Sequence, residues 1–132
     1  MTDVERLEYA RTRIGTAYQT LQAARLLFDN GFYNSAINRS YYSVFYAVNA
    51  LLVIYSINPQ SHTGTRSRFS QYFIRTDMLD IRYGKLLALL YDWRQKGDYE
   101  NLFDFDSETV SELFEPVTEM IQIIEKEIFK DN

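Results

Sequence analysis

The stretch Asn38-Arg39-Ser40-Tyr41-Tyr42-Ser43-Val44-Phe45-Tyr46 places one arginine, one asparagine amide and three tyrosines within nine residues of what its apolar pattern predicts to be a buried helix. Arg39 and Tyr46 are seven residues apart, close to two helical turns, so both belong to one stripe, roughly 10 Å apart along the axis. Arginine is rarely buried without a partner. Arg39 is therefore expected to have one, and this stripe is the first candidate for a functional site.

The rest of the chain is predicted to be helical as well, because apolar residues recur at helical spacing and no sustained two-residue alternation indicates a strand. Thr2 or Asp3 can cap the first helix, and Asn34 or Ser35 the second. Five helices are predicted, over residues 3–30, 34–57, 65–75, 82–96 and 107–130. The first, second and fourth end before Gly31, Asn58-Pro59 and Gly97, and the last, from Ser107 to Lys130, is expected to kink or break at Pro116. The predicted loops are Pro59–Gly64 and Asn101–Asp106. This pattern predicts an all-α fold, an up-down antiparallel bundle of about five helices forming one domain over residues 1–132.

The composition excludes several kinds of site. The chain has 132 residues, no cysteine and one histidine, His62, so neither a disulfide framework nor a thiolate or multi-histidine metal centre can form within it. We expect no metal and no cofactor. No apolar run approaches the roughly 18–20 residues that cross a membrane, and the start of the chain is polar and acidic. The expected location is therefore the cytoplasm, without membrane contact.

The net charge of −4 is unevenly distributed. Residues 62–99 carry seven Lys/Arg against four Asp/Glu, whereas residues 100–132 carry two against ten. An acidic protein binds nucleic acid poorly without specific contacts, because phosphate contacts supply most of that affinity. A local arginine-rich face could still bind it.

Three features could carry chemistry, and no P-loop, glycine-rich dinucleotide turn or zinc-protease motif is present. They are the Arg39 stripe; Ser61-His62-Thr63-Gly64 followed by Arg66, Arg68 and Phe69; and Arg94-Gln95-Lys96-Gly97-Asp98-Tyr99. Asp98 can satisfy the guanidinium fork of either Arg39 or Arg94. A purely structural network of arginine, Asp98 and tyrosine hydroxyls is the alternative.

The pattern Ser35-Ala36-x-Asn38-Arg39-x-Tyr41-Tyr42-x-x-Phe45-Tyr46-Ala47, with the Ser61-His62-x-Gly64 block and Arg94-x-x-x-Asp98-Tyr99, resembles the HEPN domain (higher eukaryotes and prokaryotes nucleotide-binding). The resemblance covers about residues 7–129 and is greatest to small stand-alone bacterial and archaeal members. It implies an all-helical bundle that forms homodimers, with the polar residues of the second helix near the dimer cleft. It also implies a frequent partner, a minimal nucleotidyltransferase encoded next door, the pair acting as a toxin–antitoxin module.

Active HEPN proteins are metal-independent ribonucleases with an arginine followed, after four to six residues, by a histidine. The arginine matches Arg39, but Val44, Phe45 and Tyr46 occupy the positions open to the histidine. Tyrosine, with an ordinary pKa of about 10, is a much poorer general base at pH 7 than histidine.

Three hypotheses follow. The first is a nucleotide- or RNA-phosphate-binding module without full ribonuclease activity, in which Arg39, Asn38, Tyr42, Arg66 and Arg94 bind phosphate, with Arg68 as a further cation, and Asp98, Tyr99 and Tyr41 form a structural network. The second is a metal-independent endoribonuclease that uses Arg39 with Tyr46 or His62. The third is a structural domain for dimerisation or protein interaction only. The missing histidine favours a non-enzymatic role.

Overall fold

The computed structural model describes residues 1–58, 61–99 and 104–131, and all regular structure in these ranges is helical. The helices are α1 Asp3–Asp29, α2 Tyr33–Ile54, α3 His62–Phe69, α4 Ile81–Tyr99, α5 Ser107–Ser111 and α6 Phe114–Phe129, with one π-helical turn, Ser70–Ile74, directly after α3. The short α5 and α6 are two parts of the last predicted helix. The predicted all-α, up-down antiparallel bundle of five helices is therefore confirmed.

The α1–α2 hairpin is defined by its capping residues. Thr2 caps α1 in a capping box with Glu5, as the sequence predicts. At the other end the backbone N–H groups of Gly31 and Phe32 donate to the carbonyls of Phe28 and Leu27, which is a Schellman motif. Gly31 has φ +84°, a left-handed conformation that glycine adopts without steric cost.

The ends of α2 differ from the prediction. The helix begins at Tyr33 after Phe32 rather than at an Asn34 or Ser35 cap, because the Asn34 side chain is used elsewhere. Its Oδ1 accepts from the backbone N–H of Phe105, and its Nδ2 donates to the carbonyl of Gly97. α2 ends at Ile54, three residues before the predicted end.

Two further predicted boundaries were wrong. α3 begins at His62, because the Ser61 hydroxyl caps it by accepting from the backbone N–H of Gly64. The predicted loop over residues 59–64 therefore ends at Ser61, and residues 59 and 60 lie outside the described ranges. α4 does not break at Gly97 but continues to Tyr99. The Gly97 carbonyl accepts from Asn34 Nδ2 of α2, and such contacts between α4 and α2 offset glycine's weak helix propensity of about 1 kcal/mol.

The last predicted helix breaks as expected, but at residues 112 and 113 rather than at Pro116 itself. Asp106, not Ser107, caps α5, and residues 112 and 113 separate α5 from α6. Pro116, the third residue of α6, has no N–H to donate to the carbonyl of Glu112, so an unbroken helix would lose that bond. Of the predicted loop at 101–106, residues 101–103 lie outside the described ranges.

α2 is the central helix and positions the candidate site. Its buried side chains lie on most of its circumference, and α1, α3, α4, α5 and α6 all pack against it. The amphipathic α6 covers one side with a continuous apolar stripe. In the described ranges no helix combines the length and the apolar character needed to cross a membrane.

Candidate functional site

Five rings meet where the middle of α2 packs against α3 and α4. We refer to them as the aromatic cluster; its members are Tyr41, Tyr42, Phe45, His62 and Tyr91. His62 stacks on Phe45 with ring centroids 4.5 Å apart and an interplanar angle of 20°. Tyr41 contacts the rings of Tyr42, Phe45, His62 and Tyr91 at 5.1–5.9 Å. Such offset and edge-on pairs each contribute about 0.5–1.5 kcal/mol of stability beyond burial, so the five rings hold one another in a fixed arrangement.

The buried arginine of this site is Arg94 rather than Arg39. Arg94 is 9% exposed, and its guanidinium carbon lies 5.3–6.0 Å from the ring centroids of four tyrosines, Tyr41, Tyr42, Tyr91 and Tyr99. Its Nε lies 3.4 Å from Asp98 Oδ2, one helical turn away on α4, and its Nη2 lies 3.4 Å from the Tyr99 hydroxyl. Arg94 therefore has the network of Asp98 and tyrosines predicted for a buried arginine.

Arg39 is half-buried and is bound differently. Its Nε and Nη2 donate to Asn38 Oδ1 at 3.0 and 2.8 Å, and its guanidinium lies 4.9 Å from the centroid of the Tyr42 ring. Asn38 Nδ2 in turn donates to Asp98 Oδ2 at 2.8 Å, so Asp98 reaches Arg39 only through an amide. Among the described residues Arg39 has no carboxylate partner. The expectation that Arg39 is buried was therefore wrong, whereas the expected partner exists and is the Asn38 amide with the Tyr42 ring. No described carboxylate offsets its charge.

His62 belongs to the cluster although it lies 23 residues after Arg39 in sequence. Its Nδ1 shares a 2.7 Å hydrogen bond with the Tyr41 hydroxyl, and its ring lies 5.8 Å from that of Tyr42, the residue on which Arg39 rests. Burial, and secondly the charge of Arg94, lowers the pKa of His62 below 6.5. His62 is therefore neutral at pH 7, and within the described ranges its Nε2 makes no hydrogen bond.

Tyr41 and Tyr46 have different environments. Burial raises the pKa of Tyr41 to about 12, although the positive charge of Arg94 acts in the opposite direction, so the Tyr41 hydroxyl stays protonated at neutral pH. Tyr46 contacts Tyr42 with ring centroids 6.0 Å apart, and Arg13 of α1 lies 5.4 Å from its ring. Tyr46 thus borders the cluster on the α1 side, while His62 lies on the α3 side.

A third arginine completes the site. The Arg66 guanidinium lies 4.5 Å above the Tyr91 ring. Arg68 makes no ion pair or ring contact with any described residue and is not part of the site. Tyr91 was not among the site residues predicted from the sequence, although its position three residues before Arg94 puts the two on one face of α4. Arg39, Arg66 and Arg94 therefore surround one aromatic cluster, and Asp98 is the carboxylate that pairs with Arg94 and accepts from Asn38.

The arrangement is suited to binding anions. Three guanidinium groups offer fixed forks of N–H donors that match phosphate oxygens, and the half-buried rings of Tyr42 and Tyr91 offer apolar faces. No group of three or more His, Cys, Asp or Glu side chains that could hold a metal ion is present within residues 1–58, 61–99 and 104–131.

The family match and the similar proteins of known sequence agree on one family. The model of the HEPN domain matches residues 10–128. "UPF0332 protein" of Thermotoga maritima is 33% identical over 120 residues, covering 91% of this chain and 89% of the relative. Two proteins of Methanocaldococcus jannaschii are also similar. "Putative toxin MJ0605" is 32% identical over 108 residues, 82% of this chain and 81% of the relative. "Putative toxin MJ0142" is 37% identical over 95 residues, 72% of this chain and 65% of the relative, so the match spans just under two thirds of that protein. The chain belongs to the HEPN domain family.

Proposed function

We propose that this protein is a nucleotide- or RNA-phosphate-binding HEPN module that lacks full ribonuclease activity. In this proposal it acts as a homodimer and as the HEPN half of a toxin–antitoxin pair with a minimal nucleotidyltransferase. The observation that carries the proposal is the Arg39 guanidinium on the Tyr42 ring, which has no carboxylate partner within residues 1–58, 61–99 and 104–131. The relatives whose names contain the word toxin support the toxin part of it.

Arg39 is suited to hold a phosphate. Only two of its three guanidinium nitrogens bond Asn38, so the donors on the third stay available for an anion. A half-buried cation without a carboxylate partner gains more from a bound phosphate than a fully solvated one, because the effective dielectric constant is lower. Arg66 and Arg94 add positive charge around the same rings.

The ribonuclease alternative rests on one observation, the presence of His62 in the cluster. Tyr46 occupies the position of the motif histidine, but His62 reaches the same Tyr42 ring from α3. In the tautomer whose Nδ1–H donates to the Tyr41 hydroxyl, the neutral imidazole has an Nε2 that bonds no described residue and can accept a proton from a ribose 2′-hydroxyl, the first step of metal-independent RNA cleavage. In this alternative Arg39 stabilises the phosphate and His62 is the general base.

Binding titrations test the leading proposal. A short single-stranded RNA and AMP are titrated at low salt against the wild type, Arg39→Gln and a control, Arg25→Gln. Arg25 is matched because its guanidinium lies 4.8 Å from an aromatic centroid, that of Phe114, but on the α1–α6 side of the bundle. Loss of one charged hydrogen-bonding group costs about 1.5–3 kcal/mol, so Arg39→Gln is expected to weaken binding about 10- to 100-fold. Equal affinities of the two variants would refute phosphate binding at Arg39.

A cleavage assay in the presence of a chelator tests the alternative. If His62 is a general base, His62→Gln abolishes cleavage of single-stranded RNA and Tyr46→Phe leaves it intact. The leading proposal expects wild type and Arg39→Gln to show the same background. If the wild type cleaves RNA well above background and Arg39→Gln or His62→Gln removes that activity, the leading proposal is refuted in favour of the ribonuclease.

The partner proposals have separate tests. Light scattering at micromolar concentration is expected to give the mass of a dimer, and a clean monomer would contradict the homodimer. Co-expression with a neighbouring small nucleotidyltransferase gene is expected to yield a complex. Failure of the two proteins to associate would refute the proposed nucleotidyltransferase partner but not the proposed phosphate binding.

A further inference from the structure

A groove separate from the aromatic cluster runs between α4 and the segment formed by α3 and the π-helical turn. Its volume is about 650 Å³, within the range of ligand pockets. Three cations, Arg66, Arg75 and Lys85, line it above an apolar floor that includes Ile74 and Leu87. We refer to it as the basic groove.

The charges of the basic groove have no carboxylate partner in the part of the chain that the structure describes. Arg75 and Lys85 are exposed and make no ion pair within the described ranges, and Arg66 contacts the face of Tyr91 but no carboxylate. Three such cations around one depression generate a positive potential that attracts an anion. The segment that contains them, residues 62–99, also carries the excess of Lys/Arg over Asp/Glu in this acidic chain.

The basic groove is continuous with the aromatic cluster through Arg66. This arginine lines the groove and lies over Tyr91, whose ring is 5.9 Å from that of Tyr41. Along α3, Arg66 follows His62 by one turn, a rise of about 6 Å. An extended ligand on the cluster can therefore continue along α3 into the groove without leaving positively charged surface.

We propose that the RNA bound by this module is single-stranded and several nucleotides long, and that its phosphates run from Arg39 past Arg66 into the basic groove, to Arg75 and Lys85. This inference rests on the proposed phosphate binding at Arg39. The hydroxyls of Thr63, Ser67 and Ser70 also line the groove and can donate to phosphate oxygens. The guanidinium planes of Arg39 and Arg66, each supported by a tyrosine ring, can stack only on unpaired bases, so a single strand fits and a duplex does not.

The test compares a mononucleotide with a longer strand. Affinities for AMP and for an oligouridylate of about ten nucleotides are measured over a range of salt concentrations. The proteins are the wild type, Arg75→Gln/Lys85→Gln and the charge-matched control Arg11→Gln/Arg25→Gln, whose sites lie on α1 and pack against α6 residues. Each phosphate contact to a single strand contributes about 0.7 to the slope of log affinity against log salt.

Removal of two contacts is expected to lower that slope by about 1.4 and to weaken oligouridylate binding about 25-fold at 0.1 M salt, while AMP affinity and the control stay unchanged. An unchanged slope and affinity in the groove variant would overturn the inference. If Arg39→Gln still weakens AMP binding in that case, the proposed function stands, and the groove suits an acidic protein segment instead. If neither ligand binds the wild type, both proposals fail.

Discussion

Replacing Arg94 separates the role of its charge from the role of its packing. We expect Arg94→Ala to lower the free energy of unfolding by about 2–3 kcal/mol and Arg94→Met to lower it by about 1 kcal/mol or less. The side chain is 9% exposed and lies among four tyrosine rings, so both its methylenes and its charge are largely removed from water.

The magnitude follows from opposing contributions. The 3.4 Å contact with Asp98, whose side chain is 25% exposed, contributes about 0.5–1 kcal/mol, and the cation–π contacts contribute about 2 kcal/mol together because they share one guanidinium. Desolvation of the guanidinium costs several kcal/mol and offsets both. Truncation to alanine also removes two buried methylenes at about 0.8 kcal/mol each and leaves a cavity, whereas methionine fills most of that volume.

Urea denaturation followed by circular dichroism at pH 7 measures these differences. Asp98 keeps its hydrogen bond from Asn38 in both variants, so no carboxylate is left without a partner. An Arg94→Met variant as unstable as Arg94→Ala would refute the reasoning, because it would show that the charge and not the packing stabilises the bundle.

Four substitutions have further effects of predictable sign. Gly31 at φ +84° and Ser56 at φ +60°, after α2, both have the left-handed backbone conformation that favours glycine. Gly31→Ala is therefore expected to lower the free energy of unfolding by about 1–2 kcal/mol, and Ser56→Gly to raise it by about 0.5–1 kcal/mol. Thermal unfolding measures both changes. Arg94→Met is expected to raise the pKa of His62, since one positive neighbour is lost, but to leave it below 6.5, since burial is the larger cause; an NMR titration of the chain's one histidine measures it. The pKa of His62 is lower in the folded chain than in the unfolded chain, so the unfolded chain binds the proton first as the pH falls. The free energy of unfolding therefore decreases as the pH drops from 6.5 to the folded pKa. His62→Gln is expected to lose this part of the pH dependence, which urea titrations at several pH values measure.

The fold was predictable because its signals are local. Apolar residues at helical spacing, the Thr2 cap and Gly31 are read from short windows of sequence, and the bundle follows from them. The errors at the helix ends come from tertiary contacts that no window contains. Asn34 is a good cap in isolation, but it bonds Phe105 across the bundle, and its second hydrogen bond, to the Gly97 carbonyl, joins α2 to the part of α4 that continues past the glycine.

The site was predictable as a set of residues but not as an arrangement. Spacing alone could not show which of two arginines is buried, because the choice depends on Tyr91 and Tyr99 of α4 as much as on α2. The position of His62 depends on how α3 packs against α2 after a loop. The hydrogen bond between Tyr41 and His62 joins residues 21 apart, a separation that periodicity does not encode.

The NMR signal of His62 during a titration with AMP tests phosphate binding at Arg39 most directly, because the imidazole lies against the same Tyr42 ring as the guanidinium. We predict that the signal shifts with AMP concentration, that the shift saturates at the dissociation constant found by calorimetry, and that Arg39→Gln abolishes it at the same concentrations. Calorimetric binding that leaves the His62 signal unmoved, or an equal shift in Arg39→Gln, would contradict the assignment of this cluster as the phosphate site.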